Sequence, residues 1–344
     1  MKKSRVLVLV HRDLTPREDV TPREVSPDWR MEWDVVTHLR ARGHELEAIE
    51  VHDDLTPIRQ ALDDFKPTVA FNLLEDFNDV VVFDQNVVSY LELLRVPYTG
   101  CNPRGMTLAR DKGLARKLLA YHRIPFPDFT VVPVGRKATV PRRLSFPLIV
   151  KSLTYEASAG ISQASVVANE EQLAKRVRFI HETLSTPAIV EQYIDGRELY
   201  VGVLGNHRLR VFPVWEMSFD KMRGDNWRIA TERVKWNVGY QERHGIDTAE
   251  AELPPELTAR IQHLAKRTYR ALELSGYARI DFRMSGEGVP YVIEANPNPQ
   301  LAEQEDFAQS AAKAGLCYPE LLERIMTLGV RWQPTREVTP AREE

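Results

Sequence analysis

Along the first hundred positions, apolar residues fall in short unbroken runs separated by stretches of helical spacing. Val6–Val10 is one run, Thr68–Leu74 is apolar apart from Thr68 and Asn72, and Glu45–Val51 reads as a second strand in which glutamates alternate with apolar residues. Between them the spacing predicts helices near Trp29–Arg42, closed by Gly43, and Pro57–Phe65; a third follows at Phe83–Leu94. Strands apolar on both faces, alternating with helices, imply a small parallel sheet covered on two sides. Such a sheet opens binding loops at its carboxyl ends, here around His11–Asp13 and Asn72–Asp79.

The pattern changes after a helix expected at Asp111–His122, which Ile124–Pro127 ends. Strands are expected at Phe129–Val132, Pro147–Lys151, Ile161–Val167, Ala188–Ile194, Arg197–Leu204 and Leu209–Val214, with a helix at Glu170–Leu184. Asp195-Gly196 and Gly205-Asn206 read as hairpin turns. Trp215–Glu252 is polar and irregular over a length that suits a lid. A helix near Pro255–Leu274, a hairpin within Ala278–Pro299 and a helix near Tyr318–Thr327 follow. The reading is an α/β chain of several subdomains, with boundaries at 1–105, 106–190 and 191–330 and a loose charged tail at 331–344.

Composition narrows the function classes. With 43% hydrophobic and 28% charged residues the chain has a soluble globular composition. The formal charge of -3, from 46 basic against 49 acidic side chains, gives no global field for nucleic acid. Cys101 and Cys317 lack metal-ligand spacing, and a reducing cytoplasm fits them better than a disulfide framework. The opening MKKSRVLVLVHRD reads as a buried strand rather than a leader, and no apolar run approaches the ~20 residues of a membrane span.

Candidate chemistry concentrates in ARIDFRMSGEGVPYVIEANPNP, Ala278–Pro299. Strand alternation puts Arg279, Asp281 and Arg283 on one face, and Val292, Glu294 and Asn296 share a face of the returning strand. A turn at Ser285–Gly288 would pair Met284 with Val289, setting Arg279 opposite Glu294 and Asp281 diagonal to it. Two carboxylates and an amide oxygen suit a hard divalent cation, and an adjacent arginine suits a developing oxyanion. On this hairpin alone, a metal site and a structural salt-bridge face are both open readings. Lys151 ends an apolar strand before the small-residue loop Tyr155–Gly160, and Lys112 opens a helix; both suit phosphate. Glu198 sits in an otherwise apolar strand, where leaving it unpaired is costly. It needs either a ligand's hydroxyls or a basic partner.

The order Lys112, Lys151 with its small-residue loop, Glu191…Gly196-Arg197-Glu198, Arg279-Ile280-Asp281 and Glu294-Ala295-Asn296 resembles the ATP-grasp superfamily. Within it the chain is most similar to the D-alanine–D-alanine ligase branch. Asn72-Leu73-Leu74, Gln85, Pro97–Gly100 and Ala311…Gly315…Tyr318 extend the likeness over about nine tenths of the chain. The resemblance implies an ATP-grasp fold: a small Rossmann-like first domain, then two α+β subdomains clasping ATP. It also implies phosphate binding by Lys112 and Lys151 with Ser158 in their loop. Glu191, Gln192, Tyr193 and Ile194 would serve adenine and Glu198 ribose, with two magnesium ions, or manganese in their place, on Asp281, Glu294 and Asn296. Arg279 would stabilise the oxyanion, and Lys235, beside Trp236 in the lid, would reach the γ-phosphate. The implied reaction is ATP-dependent amide formation from a carboxylate and an amine through an acyl-phosphate. The partners are small-molecule carboxylate and amine substrates, with a homodimer implied by likeness only.

Two stretches depart from the branch. After Asn-Leu-Leu its members carry a His-Gly pair and a Gly-Glu-Asp-Gly turn, where this chain has Glu75-Asp76-Phe77-Asn78-Asp79. After the metal-binding asparagine they run through a glycine-containing loop, where this chain has Pro299-Gln300-Leu301-Ala302-Glu303. Both lie where the amino-acid substrates would bind, so the sequence leaves three readings. These are a ligase of amino acids or small peptides not tied to D-alanine, a ligase acting on a larger peptide or protein acceptor, and a regulatory nucleotide-binding protein.

Overall fold

Val6–Val10, all fully buried, form the middle of strand β1 (Arg5–His11) because both faces of their sheet are covered. This computed structural model describes residues 3–17, 20–22, 24–155, 160–219, 227–231, 233–234 and 238–332. The chain divides into two compact units, Met1–Pro103 with Pro319–Glu344, and Arg104–Tyr318.

In the first unit β1 is followed by α1 (Arg30–Ala41), β2 (Glu45–Val51), α2 (Thr56–Asp64), β3 (Val69–Asn72) and α3 (Asp84–Leu93). The strands are parallel in the order β2-β1-β3, so their carboxyl ends, His11, Val51 and Asn72, lie along one edge. The loop after β3 is made rigid by an Asx-type contact, with Leu74 N donating to Asn72 Oδ1 (3.3 Å).

The second unit holds two antiparallel sheets. Helices α4 (Pro103–Arg110) and α5 (Lys112–Tyr121) meet at Asp111, whose carboxylate caps α5 by accepting from Leu114 N (2.8 Å). The first sheet contains β4 (Phe129–Val132), β5 (Leu148–Ser152), the two-residue β6 (Val166–Val167) and β7 (Ala188–Gln192), in the order β4-β7-β5-β6. Helix α6 (Glu170–Thr183) lays Leu173, Val177 and Ile180 on it. The second sheet runs β10-β9-β8-β11-β12, from β8 (Gly196–Leu204), β9 (Arg210–Ser218), β10 (Asp247–Glu250), β11 (Tyr277–Ser285) and β12 (Pro290–Pro297). Helices α7 (Val238–His244), α8 (Pro255–Ala271) and α9 (Asp306–Lys313) accompany it, and Phe307 of α9 packs edge-on to Phe212 at 5.3 Å between centroids. The last helix, α10 (Tyr318–Arg331), belongs to the first unit. There Gly329 lies so close to Tyr98 that an added Cβ would stand 2.3 Å from its carbonyl oxygen.

Several expectations change. Helices α4 and α9 were not legible, and the strand expected at Ile161–Val167 is a 3-10 turn at Gln163–Ser165 followed by β6. The segment Trp215–Glu252 is more ordered than a polar lid. β9 continues to Ser218, and β10 pairs with it because Tyr200, Met217, Phe219 and Val234 make a small apolar core. The hairpin register also differs. Met284 pairs with Pro290 rather than Val289, and Arg279 stands opposite Asn296 rather than Glu294.

Candidate active site

The register change comes from a β-bulge. Phe282 pairs with Val292, but Asp281 pairs with Glu294, leaving Ile293 as the extra residue. Continued regularly from Phe282, the ladder would pair Ile280 with Glu294, putting the acid on the side of Ile280, which is fully buried. The bulge instead turns Glu294 and Asn296 to the side of Asp281 and Arg279. Ile293's carbonyl accepts from Arg116 Nη2, and Val292 N donates to Pro125 O (2.9 Å). The irregular strand is thus held from α5 and the segment after it.

The polar groups form two linked sets. Arg279 grips Asp281 with two bonds, Nε to Oδ1 at 2.8 Å and Nη2 to Oδ2 at 2.9 Å, while Asn296 Nδ2 donates to Oδ2 at 2.9 Å. Tyr200 lies under the guanidinium at 4.5 Å. Burial alone would push Arg279 down, but Asp281 and Asp306 outweigh it and hold the guanidinium above its ordinary value, so it stays charged. Across the hairpin, Lys112 Nζ lies 3.0 Å from Glu294 Oε1 and donates to Tyr155 O at 2.6 Å.

The second set surrounds Glu191, which is 1% exposed. Arg116 Nε donates to Glu191 Oε1 at 2.9 Å and Lys151 Nζ stands 3.1 Å from Oε2. Burial works to raise this carboxyl, but Arg116 and Lys151 hold it below the usual range. Glu191 therefore anchors Lys151 through its side chain. Gln192 likewise uses its side chain on Ser145 N (3.1 Å) and Pro147 O (3.2 Å), leaving its main chain to line the cleft. Glu198 meets Arg283 Nη1 at 3.0 Å and accepts from Tyr200 O–H at 3.0 Å; burial keeps that phenol neutral.

These groups open on a narrow cleft of about 60 Å³ lined by Lys151, Glu191, Gln192–Ile194 and Glu198 together with Asp281 and Glu294. Its apolar walls are Ile149, Ile161, Ile229 and Ile293. The lining, apolar with convergent polar groups at one end, matches a nucleoside carrying phosphates in its chemistry. Ser158 and Lys235 lie outside the described residues.

Residues 117–327 match the family described as D-ala D-ala ligase C-terminus. Over nearly the whole chain, the D-alanine–D-alanine ligase of Desulfotalea psychrophila is 31% identical, covering 85% of this chain and 87% of its own. The chain belongs to the D-alanine–D-alanine ligase family. A Sinorhizobium fredii protein known as y4sG, of uncharacterized activity, is 30% identical over 90% of both chains. The ATP-complexed D-alanine–D-alanine ligase of Bacillus anthracis shares the ATP-grasp fold, with a TM-score of 0.73 at 23% identity over 95% of this chain and 98% of that one. This ligase is an ATP-grasp enzyme that forms carbon–nitrogen bonds from carboxylates and amines using ATP.

Two functional residues of the ligase were missed in the sequence. Arg116 is the fourth residue after Lys112 on the buried face of α5, a spacing that puts both cations on one side. Arg283 shares a face with Asp281. It binds Ile194 O (3.1 Å), Arg228 O (2.7 Å), Tyr193 Oη (3.2 Å) and Glu198, tying the base slot to the segment above it.

Proposed function

We propose that this ligase activates an amino acid or small peptide by phosphorylation and joins it to an amine other than a second D-alanine. The observation that carries the reading is Lys112 Nζ at 3.0 Å from Glu294, which brings a phosphate-type cation and the hairpin acids together beside the cleft. Lys112 and Lys151 bind ATP phosphates, with Ser158 and Lys235 as further candidates. The Gln192–Ile194 main chain receives the base, and Glu198, fixed by Arg283 and Tyr200, faces the ribose.

Asp281, Glu294 and Asn296 form an all-oxygen donor set, the chemistry magnesium selects. Their present partners, a guanidinium and an ammonium, show that this corner already demands positive charge. Bound magnesium would offset phosphate charge during transfer. The γ-phosphoryl group passes to the substrate carboxylate, giving an acyl-phosphate and ADP. The amine then attacks the acyl carbon, and the C–O bond to phosphate breaks as the amide forms. Arg279, kept charged by Asp281, stabilises the oxyanion of that addition. Ile229 and Ala230 cover the slot and limit water, held by Gln163 through Trp227 N (2.7 Å) and by Arg283 through Arg228 O.

The changed acceptor is supported by the loop after β12. There Leu301 N donates to Gln300 Oε1 at 3.0 Å and Ala302 N does so at 3.4 Å, so these amides are turned onto the loop's own side chain. Amine-dependent ADP release over a panel of D- and L-amino acids and dipeptides tests the reading. Turnover with amines other than D-alanine is expected. Turnover confined to paired D-alanine overturns the substrate reading, and turnover confined to long peptides points to the macromolecular acceptor.

A further inference from the structure

The carboxyl edge of the parallel sheet, whose loops the sequence suggests for substrate binding, carries a second cluster to which the chemistry above assigns no role. His11 ends β1, His52 follows β2, and Asp76 and Asp79 sit in the loop after β3. Three adjacent strands therefore deliver them to one place. His11 Nε2 stands 3.1 Å from His52 Nδ1, with the rings edge-on at 82°. One donor atom from each of His11, His52 and Asp79 lies within 4.8 Å of the others. Asp79 is delivered by a tight turn in which Asn78 and Asp79 both have φ of 57°. Val80 N donates to Phe77 O (3.1 Å), and Asn78 N to His52 O (2.7 Å), locking the turn to the strand end.

We infer that His11, His52 and Asp79, with Asp76 beside them, form a binding site for a divalent transition-metal ion of the zinc class. Two imidazole nitrogens with carboxylate oxygen favour such ions over magnesium or calcium. In a tetrahedral zinc site, nitrogens about 2.0–2.1 Å from the ion lie roughly 3.4 Å apart, close to the observed imidazole separation. A separate observation points to a cation. Asp76 Oδ1 is buried without a hydrogen-bond partner among the described residues, 3.9 Å from His11 Nε2. A buried carboxylate oxygen in that state is costly unless positive charge meets it. Asp13 completes the arrangement. Its main-chain N–H donates to His11 Nδ1 at 3.3 Å, fixing the ring beside His52. His11 and His52 side chains are 13% and 8% exposed while Asp79 is 77% exposed, so the site is fixed on one side and open to entry on the other.

The test titrates Co²⁺ into the full-length, chelator-treated chain without nucleotide and follows its visible absorption, then displaces it with Zn²⁺. One ion per chain is expected, resistant to millimolar Mg²⁺. H11Q and H52Q should each weaken binding more than about 100-fold, while D281N leaves it unchanged. Equal affinity in both histidine variants, or loss of binding in D281N, overturns the site. X-ray absorption of the zinc-loaded wild type gives a check independent of variant folding. Two imidazole ligands support the site, and fewer than two overturn it.

Discussion

Replacing Glu191 by glutamine tests the buried charge arrangement on which Lys151 depends. The substitution keeps shape and one acceptor but leaves two cations, Arg116 at 2% and Lys151 at 12% side-chain exposure, with no anion between them. Breaking a buried ion pair by removing one partner costs about 3–5 kcal/mol. Urea denaturation, with hydrogen exchange of the β5 and β7 amides to localise the change, should show a loss of that size at neutral pH. The KM for ATP should rise as Lys151 loses its anchor, and R116M in the same chain should recover part of the stability by removing the stranded guanidinium. Glu191's folded pKa is depressed below 4.5, so its contribution is complete above that value and disappears as pH falls through the lower folded one. The gap between wild type and variant should therefore close only in acid. A loss under about 1 kcal/mol at neutral pH, or a gap unchanged in acid, refutes the reasoning.

Other outcomes follow from the same geometry. E294Q should lower ADP release at limiting magnesium by at least about 100-fold and cost about 1–3 kcal/mol in stability by unpairing buried Lys112; unchanged magnesium dependence would contradict the metal assignment. Glu32 is buried without a side-chain partner among the described residues, and burial, aided by Glu75, pushes its carboxyl from 4.5 up to about 8. Stability of the first unit should thus fall as pH rises between those values. E32Q should stabilise it above pH 8 by several kcal/mol, at most about 5 from that shift at 1.36 per unit, and change little near pH 4.5. A pH-independent difference in denaturant midpoints would count against this. G196A should lower the melting temperature by roughly 4–12 °C, for a loss of about 2–3 kcal/mol. There φ is +147° and an added Cβ would meet Met284 O at 1.9 Å.

Much of the scaffold was legible because its signals are local. β2 and β4 fall where alternation and apolar runs put them, and five of the seven expected helices begin and end within a residue or two of their expected positions. Lys112, Asp281 and Glu294 were recognisable as chemistry-bearing residues out of place in apolar surroundings. What was hidden depends on distant partners. The Ile293 bulge has no signature within its own strand, since it is held by Arg116 from a helix 177 residues earlier in the chain. The true neighbours of Glu191 and Glu198 are arginines on other elements, so their occupied state was invisible to strand periodicity. β10 was missed for a similar reason: its few polar residues join the sheet through pairing with β9.

The extra residue in β12 also sets how the pocket can change over time. Ordinary strands send neighbours in opposite directions, yet here Ile293 and Glu294 both line the cleft, one on its apolar wall and the other at its charged end beside Lys112. Adjacent codons therefore specify an apolar and a charged part of a single wall. Mutation can resize the isoleucine freely, but a one-residue insertion or deletion at this point would disturb both parts at once.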